Sequence, residues 1–357
     1  MSKLYRMQFF DAESDKRKSK TCTEFCRSIH NLKWGWILTI VVTFAMCGAV
    51  AGAQQQAKVA KIGWLGSGSS SGPGGNRVVF QQVLREIGYD EGKNIVFEHR
   101  FAEGKLDRLP ALADELVRLK VDVLLTTSTN EALAAKNATR TIPIVFLGGG
   151  DPVIDGLVDS LARPGTNITG VTNIAPVLVG KRLELLKETI PKLFRVAVLW
   201  DPHGPSSVQQ WKESQLPARD LGLHLRSMEI RNANDFENAF KETTKAGSAA
   251  LAVTSSRFIN SYFKEIVGLA RKNRLAAIGA RGDFAESGGL MSYGADQGEL
   301  FRRAAVFVDK ILKGAKPADL PVEQPKKFEF IINLKAAKQI GLTIPPNVLV
   351  RADRVIK

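Results

Sequence analysis

The residue types that commonly carry reactions are scarce or badly placed in this chain. Its three cysteines, Cys22, Cys26 and Cys47, all precede residue 54, and only His99, His203 and His224 follow it. Residues 54–357 therefore hold no thiol nucleophile and no Cys or Cys/His zinc site. Cys22-x3-Cys26 has no second pair to complete a metal site. There is no G-x-S-x-G, and His203 lies in a Pro/Gly loop (DPHGPSS, 201–207) far along the chain from the serines at 67–71. Gly66-x-Gly68-x3-Gly72 resembles a dinucleotide phosphate turn. Against it, Pro73-Gly74-Gly75 lengthens the loop before the next helix, and the following strand ends Glu98-His99-Arg100 without a clean acidic ribose partner. No G-x4-G-K-[ST] occurs. Binding chemistry remains. Asp151, Asp201 and Asp283 each follow a predicted strand, where a carboxylate suits an ammonium group or caps the next helix. Arg257 and Arg281 suit a bidentate clamp on a carboxylate, or simply face solvent. Trp64 and Trp200 stand at corresponding strand ends and either stack on a ligand or pack beneath the loops.

The elements that would position these residues alternate regularly. Buried-strand patterns fall at 59–65 (VAKIGWL), 94–100, 121–127 and 142–147, with helical spacing at 77–87, 106–119 and 130–138 between them. The same grammar restarts at 195–200 (RVAVLW), about 134 residues on, with strands at 223–230, 249–254 and 275–280 and helices at 207–221, 234–245 and 259–272. Two such units predict two α/β lobes, each a parallel sheet covered by helices. Beyond them come a strand at 289–294 (GLMSYG), an amphipathic helix at 297–312, a strand at 328–332 and a helix at 334–340. That tail is expected to cross between the lobes, dividing the chain into 54–173 plus 292–318 and 174–291 plus 319–357. In open parallel sheets ligands sit beyond the carboxyl ends of the strands. The loops of interest are therefore 66–76, 127–130, 148–152, 201–207, 255–260 and 281–286, rich in hydroxyls, amides and a few charges.

Composition narrows the class. The chain has 357 residues, 44% hydrophobic and 24% charged, so it is long enough for two medium domains. Its net charge of +14 is diluted: residues 1–53 hold 8 Lys/Arg against 4 Asp/Glu, leaving 42 against 32 in 54–357 with no basic run longer than two. That is a solvated surface, and a nucleic-acid partner is not expected. Residues 1–53 read as an address. A basic stretch containing Lys16, Arg17, Lys18, Lys20, Arg27 and Lys33 precedes an uncharged apolar run at 36–50 and then Ala51-Gly52-Ala53. This is the pattern of a cleaved signal peptide for the general secretory route, with a retained membrane anchor as the alternative. A cysteine-free remainder suits an oxidising periplasm.

Several stretches then carry a resemblance. TTSTNEALAAKNATRTIPIVFLGGGDPVIDGLVDSLARPGTNITGVT (126–172), KRLELLKETIPKLFRVAVLWDP (181–202), GLMSYGAD (289–296) and LPVEQPKKFEFIINLKAAKQIGLTIP (320–345) resemble the ABC-transporter substrate-binding proteins of the tryptophan/tyrosine-binding-like group. The resemblance spans about 58–345. It implies a periplasmic-binding-protein type I fold, two Rossmann-like lobes closing on a ligand at the hinge, and no enzymatic activity or cofactor. A membrane permease and an ATPase are the implied partners of a monomeric periplasmic protein. The ligand it implies is a small polar molecule, an amino acid with aromatic ones first. A module that reports ligand to a membrane receptor is the alternative. Carried over by position, the ligand cleft maps to Ser67, Ser69, Thr127, Ser128, Asp151, Asn173, Trp200, Asp201, Ser255 and Asp283, with no metal. The Ser/Gly-rich first loop and the run Gly148-Gly149-Gly150 depart from the family's pattern, so a wider pocket or looser loops are expected there.

Overall fold

The computed structural model describes residues 59–69 and 75–357; the expected leader at 1–53 and part of the first loop lie outside the described residues. The first lobe is built from β1 (Ala60–Gly66), α1 (Gly75–Glu86), β2 (Ile95–Phe101), α2 (Leu109–Arg118), β3 (Val123–Thr126), α3 (Thr129–Ala138), β4 (Ile144–Leu147) and β5 (Ile168–Val171). All five strands are parallel in the order β2-β1-β3-β4-β5. Helices cover both faces, and so β3 (VLLT) and β4 (IVFL) are buried end to end instead of alternating.

The second lobe follows the same plan. It runs through α4 (Val179–Thr189), β6 (Arg195–Trp200), α5 (Pro205–Asp220), β7 (His224–Glu229), α6 (Asp235–Lys245), β8 (Ala250–Val253) and α7 (Arg257–Ser261). Then come α8 (Phe263–Lys272), β9 (Ala276–Gly279), α9 (Gly282–Glu286) and β10 (Met291–Ala295). The chain ends with α10 (Gln297–Leu312), β11 (Phe328–Asn333), α11 (Leu334–Ile340), α12 (Pro346–Leu349) and β12 (Arg354–Ile356). The second sheet has the order β12-β11-β10-β9-β8-β6-β7, and among the described residues its only antiparallel pair is β10–β11. Strands β7-β6-β8-β9-β10 thus repeat the order of the whole first sheet, which is the internal duplication the sequence pattern predicts.

Each sheet is sandwiched between two apolar layers. Trp64, Phe80 and Leu84 meet Leu300, Phe301 and Val308 of α10 on one face of the first sheet, and Leu116, Leu124, Phe146 and Ile168 pack on the other. In the second lobe Leu186, Val196, Ile278 and Ile332 form one layer and Phe236, Phe240, Ile266 and Phe284 the other. Trp64 is therefore core: its indole sits edge-on to Phe80 at 5.6 Å and stacks on Phe301 at 6.4 Å, which leaves no face for a ligand.

Three crossings join the lobes. Strand β10 lies between β9 and β11 and so belongs to the second sheet through Ala295. A strand buried along MSYGA needs a neighbour on each side, and only the second sheet offers both. Helix α10 then completes the first lobe. The return segment also stays with the first lobe past 319: Val322 is buried beside Leu157 and Ile168, and Glu323 bridges to Val171. Arg303 of α10 clamps the Glu323 carboxylate through Nε at 2.6 Å and Nη2 at 2.5 Å. The fifth strand of the first lobe escapes the sequence pattern because it is four residues long and contains Gly170.

That glycine has a counterpart. A Cβ on Gly170 of β5 would stand 2.1 Å from the Phe146 carbonyl oxygen, and one on Gly294 of β10 would stand 2.0 Å from that of Ala280. Both glycines precede a crossing by two residues, and both let the outgoing strand press on its neighbour's backbone. Gly294→Ala is expected to cost about 1–3 kcal/mol, as overpacking does, seen as a lower urea midpoint with an unchanged slope.

His99 supplies a pH test. Its ring is held between Phe97 and Phe101, at 5.9 and 5.8 Å, and its Nδ1 is buried without a partner. Burial first, and the Arg77 charge second, lower its pKa from 6.5 against the pull of Glu91 and Glu98. A pKa lower in the folded state means that stability is complete above the unfolded value and is lost as pH falls through the folded one. Thermal midpoints taken from about pH 7.5 to about pH 5 should fall more steeply for the native protein than for His99→Phe.

Candidate functional site

The carboxyl ends of both sheets face each other, and the first lobe's side is organised by a residue the sequence reading did not single out. Glu131 is 0% exposed, in the first turn of α3. Its Oε1 accepts from the Ser67 amide at 2.6 Å and hydroxyl at 2.8 Å, and its Oε2 from the Thr127 amide at 2.6 Å and hydroxyl at 3.1 Å. One carboxylate thereby ties the loop after β1 to the loop after β3. Ser128 caps α3, accepting from the Glu131 amide, so Ser128-x-x-Glu131 reads as a capping box. That motif was the available signal. The glutamate, however, reaches past its own cap to a second loop, which spacing alone does not reveal.

The second lobe meets this surface at three places. Arg257, at the start of α7, donates through Nη2 to the Thr127 hydroxyl, and its Nε lies 3.8 Å from Glu131 Oε1. Asn130 Nδ2 donates to the His203 carbonyl at 3.0 Å. Gln209 of α5 accepts from the Asp151 amide at 2.8 Å and donates from Nε2 to Asp155 Oδ1 at 2.7 Å. The glycine run explains that approach: a Cβ on Gly150 would stand 2.4 Å from Gln209 Oε1, and one on Gly149 2.6 Å from the Thr129 hydroxyl. The extra glycines thus admit close neighbours, in contrast to the expected wider pocket. Asp155 also accepts from the Thr129 hydroxyl at 3.1 Å. Burial, with help from Asp151, lifts its pKa to about 6 although the Thr129 bond opposes the shift.

The remaining predicted residues divide by placement. Ser67, Thr127 and Ser128 converge around Glu131, and Ser69 stands exposed at the described end of the first loop. Asp151 Oδ1 caps its own turn, accepting from the Val153 and Ile154 amides, while Asn173 accepts from the Ala175 amide at the first crossing. On the facing wall Asp201 is 3% exposed and accepts from the His203 amide, and its own amide donates to Ser207. Ser207 bonds Thr254 at 2.6 Å, and Ser255 bonds Asn260 at 3.3 Å, which gathers the loops after β6 and β8. Two residues stand apart. Trp200 stacks on Trp211 at 5.9 Å and donates to Ser227 on edge strand β7. Asp283 is engaged by Arg281, which also donates to Gln297 at the second crossing.

Two walls of hydroxyls, amides and single charges, carried on lobes joined by three crossings, are suited to enclosing a small polar molecule. Residues 73–356 match the family described as ABC transporter substrate binding protein. The chain belongs to that family. A tyrosine-binding protein of Clostridioides difficile is 27% identical over 263 residues, covering 74% of this chain and 75% of the relative. The crystal structure of an ABC domain in complex with L-Trp from Streptococcus pneumonia is 28% identical, with a TM-score of 0.78 over 83% of this chain and 99% of that one. The ligand-free, open structure of a substrate binding protein with adhesive properties from Clostridium difficile is 27% identical. Its TM-score is 0.63 over 84% of this chain and 99% of that one. More distant solute-binding structures share the type I fold alone. The family's members are binding proteins that serve ABC transporters, and among the described residues no helix is long and apolar enough to cross a membrane.

Replacing the Glu131 carboxylate by an amide puts an NH2 against amide and hydroxyl donors. Glu131→Gln is expected to lower unfolding free energy by about 1–3 kcal/mol, read from urea denaturation, with a smaller loss in Ser67→Ala because only one donor disappears.

Proposed function

We propose that this substrate-binding protein is the periplasmic component of an ABC importer and takes an aromatic amino acid, L-tryptophan or L-tyrosine, between its lobes without transforming it. The observation that carries this reading is Arg257 reaching across the cleft to Thr127 and Glu131. A guanidinium at the meeting point of the two walls, among hydroxyls and exposed loop amides, suits the carboxylate of an amino acid. Asp151 Oδ2, on the same loop cluster, suits its ammonium group. The ligands of the two relatives named above support the aromatic side chain.

The proposed ligand walls are Ser69, Thr127, Ser128, Asp151 and Asn173 on the first lobe and Asp201, Ser255 and Arg257 on the second. Ser67 acts behind them through Glu131, while Trp200 and Asp283 reach the ligand only by leaving their present partners. The proposed lobes are 59–173 with 296–323 and 174–295 with 324–357. The signal peptide of 1–53 directs the chain out through the general secretory route. The closed, monomeric form then docks on a permease driven by its ATPase, the ligand's preference for the closed form supplying the bias.

Calorimetry and thermal shift test this directly. L-tryptophan or L-tyrosine at about 100 times its dissociation constant should add roughly 2.7 kcal/mol to stability. L-tryptophanamide, which lacks the carboxylate, should bind at least about tenfold more weakly, and Arg257→Ala should erase most of that difference. Equal binding of acid and amide by the native protein would remove the Arg257 assignment. Silence toward all aromatic amino acids would remove the proposed ligand class.

A further inference from the structure

Arg182, in the first half of α4, is 2% exposed, and its three hydrogen-bond acceptors are neutral. Its Nη2 donates to the Ala175 carbonyl at 2.8 Å and to Gln210 Oε1 at 3.1 Å, and its Nη1 to the Tyr293 carbonyl at 3.4 Å. A buried cation held by neutral groups alone is costly, and an apolar residue of similar size commonly serves stability as well or better. Burial accordingly pushes this guanidinium down to about 9, with only Tyr293 opposing.

The positions of the three acceptors suggest what offsets that cost. Ala175 lies on the first crossing, between β5 and α4. Tyr293 lies on β10, three residues before the second crossing begins. Gln210 lies on α5, one residue from Gln209, which bridges to the first lobe. Because Gln210 Oε1 is committed to Arg182, its NH2 must face the other way. It donates to the Ser206 carbonyl at 3.1 Å, the Ser206 hydroxyl at 3.3 Å and the Ser255 carbonyl at 3.2 Å. Ser255 opens the loop that carries Arg257 to Thr127 and Glu131. A chain of hydrogen bonds, buried from Arg182 to Ser255, therefore runs from two crossings to the backbone two residues before the one that spans the cleft. A planar guanidinium spreads fixed donors over two nitrogens toward both crossings and the amide, whereas an ammonium group offers all its donors from a single atom.

We propose that Arg182 is a positioning residue that couples rotation at the crossings to the placement of the Ser255–Arg257 loop, so that lobe closure and ligand contact are set together. This rests on the reading above, in which the lobes close on a ligand. Arg182 touches no ligand itself. It fixes the orientation of Gln210, and Gln210 fixes the loop.

Gln210→Glu separates this role from a merely structural one. The new carboxylate keeps an acceptor for Arg182 and gives it the countercharge it lacks, while its other oxygen faces the Ser206 and Ser255 carbonyls and repels them. Arg182→Lys, which keeps the charge and loses the fork, is the second variant. The purified protein is compared by urea unfolding, calorimetry with L-tryptophan, and radius of gyration from X-ray scattering with and without L-tryptophan. Gln210→Glu should unfold at or above the native midpoint, yet bind L-tryptophan about tenfold more weakly, with a radius in plain buffer that differs from the native one. Arg182→Lys should show the same loss of affinity and the same kind of change in radius. Either variant, folded and with native radius in both states and affinity within about twofold, overturns the proposal. If the native protein ignores both L-tryptophan and L-tyrosine, the ligand assignment falls. The scattering in buffer still decides this proposal: a native radius in both variants overturns it, and a shifted one supports it.

Discussion

The candidate binding face of the first lobe depends on one desolvated carboxylate. Glu131 has given up all contact with water, and an ion in that position is tolerable only when its oxygens are satisfied. Four donors from two loops do this, two of them backbone amides. The position in the first turn of α3 adds the favourable end of the helix dipole. Because neither loop can leave without stranding the charge, the ends of β1 and β3 are fixed relative to each other before any ligand arrives. Preorganisation of this kind lowers the ordering cost of binding. The Arg257 guanidinium of the opposite lobe approaches the same carboxylate, so the attraction that shapes one wall also reaches toward the other.

Closure requires the two walls to come within hydrogen-bond distance, and the backbone is thinned where they do. Gly150 admits the Gln209 side chain, whose amide then bridges Asp151 and Asp155. Near the carboxyl ends of β5 and β10, Gly170 and Gly294 let these strands press against neighbouring backbone just before the chain crosses. The duplication of the fold thus extends beyond strand order to the device that launches two of the three crossings. Arg182, bonded to Gln210, also holds the carbonyls of Ala175 and Tyr293 near two of these crossings, in a family whose members bind solutes for ABC transporters.

The alternating pattern of strands and helices was legible because each element buries an apolar face with its own period. Val196 to Leu199 or Leu300 to Ile311 need no knowledge of the rest of the chain. Strand β5 was not legible: ITGV is short, holds a glycine, and becomes a strand only because β4 stands beside it. That β10 pairs in the second sheet was not legible for the same reason, since hydrogen-bonded partners are not a local property. At the candidate site, the rule that loops after parallel strands face a ligand picked out loops that the structure brings close together. It could not tell which of their side chains were already occupied. Asp283 and Trp200 look available in the sequence, yet one is held by Arg281 and the other by Trp211 and Ser227. Glu131 was visible only as part of a capping box. Arg182, beside Lys181 in an amphipathic helix, looks like a solvated charge, and only the tertiary packing of two crossings over it makes it buried.

A crystal structure of the protein grown with L-tryptophan tests the central claim most directly. The account predicts the amino acid between the lobes, its carboxylate on the Arg257 guanidinium and Thr127, its ammonium group near Asp151, and Glu131 still holding Ser67 and Thr127. L-tryptophan bound outside this cleft, or within it with Arg257 turned away from the carboxylate, would contradict it.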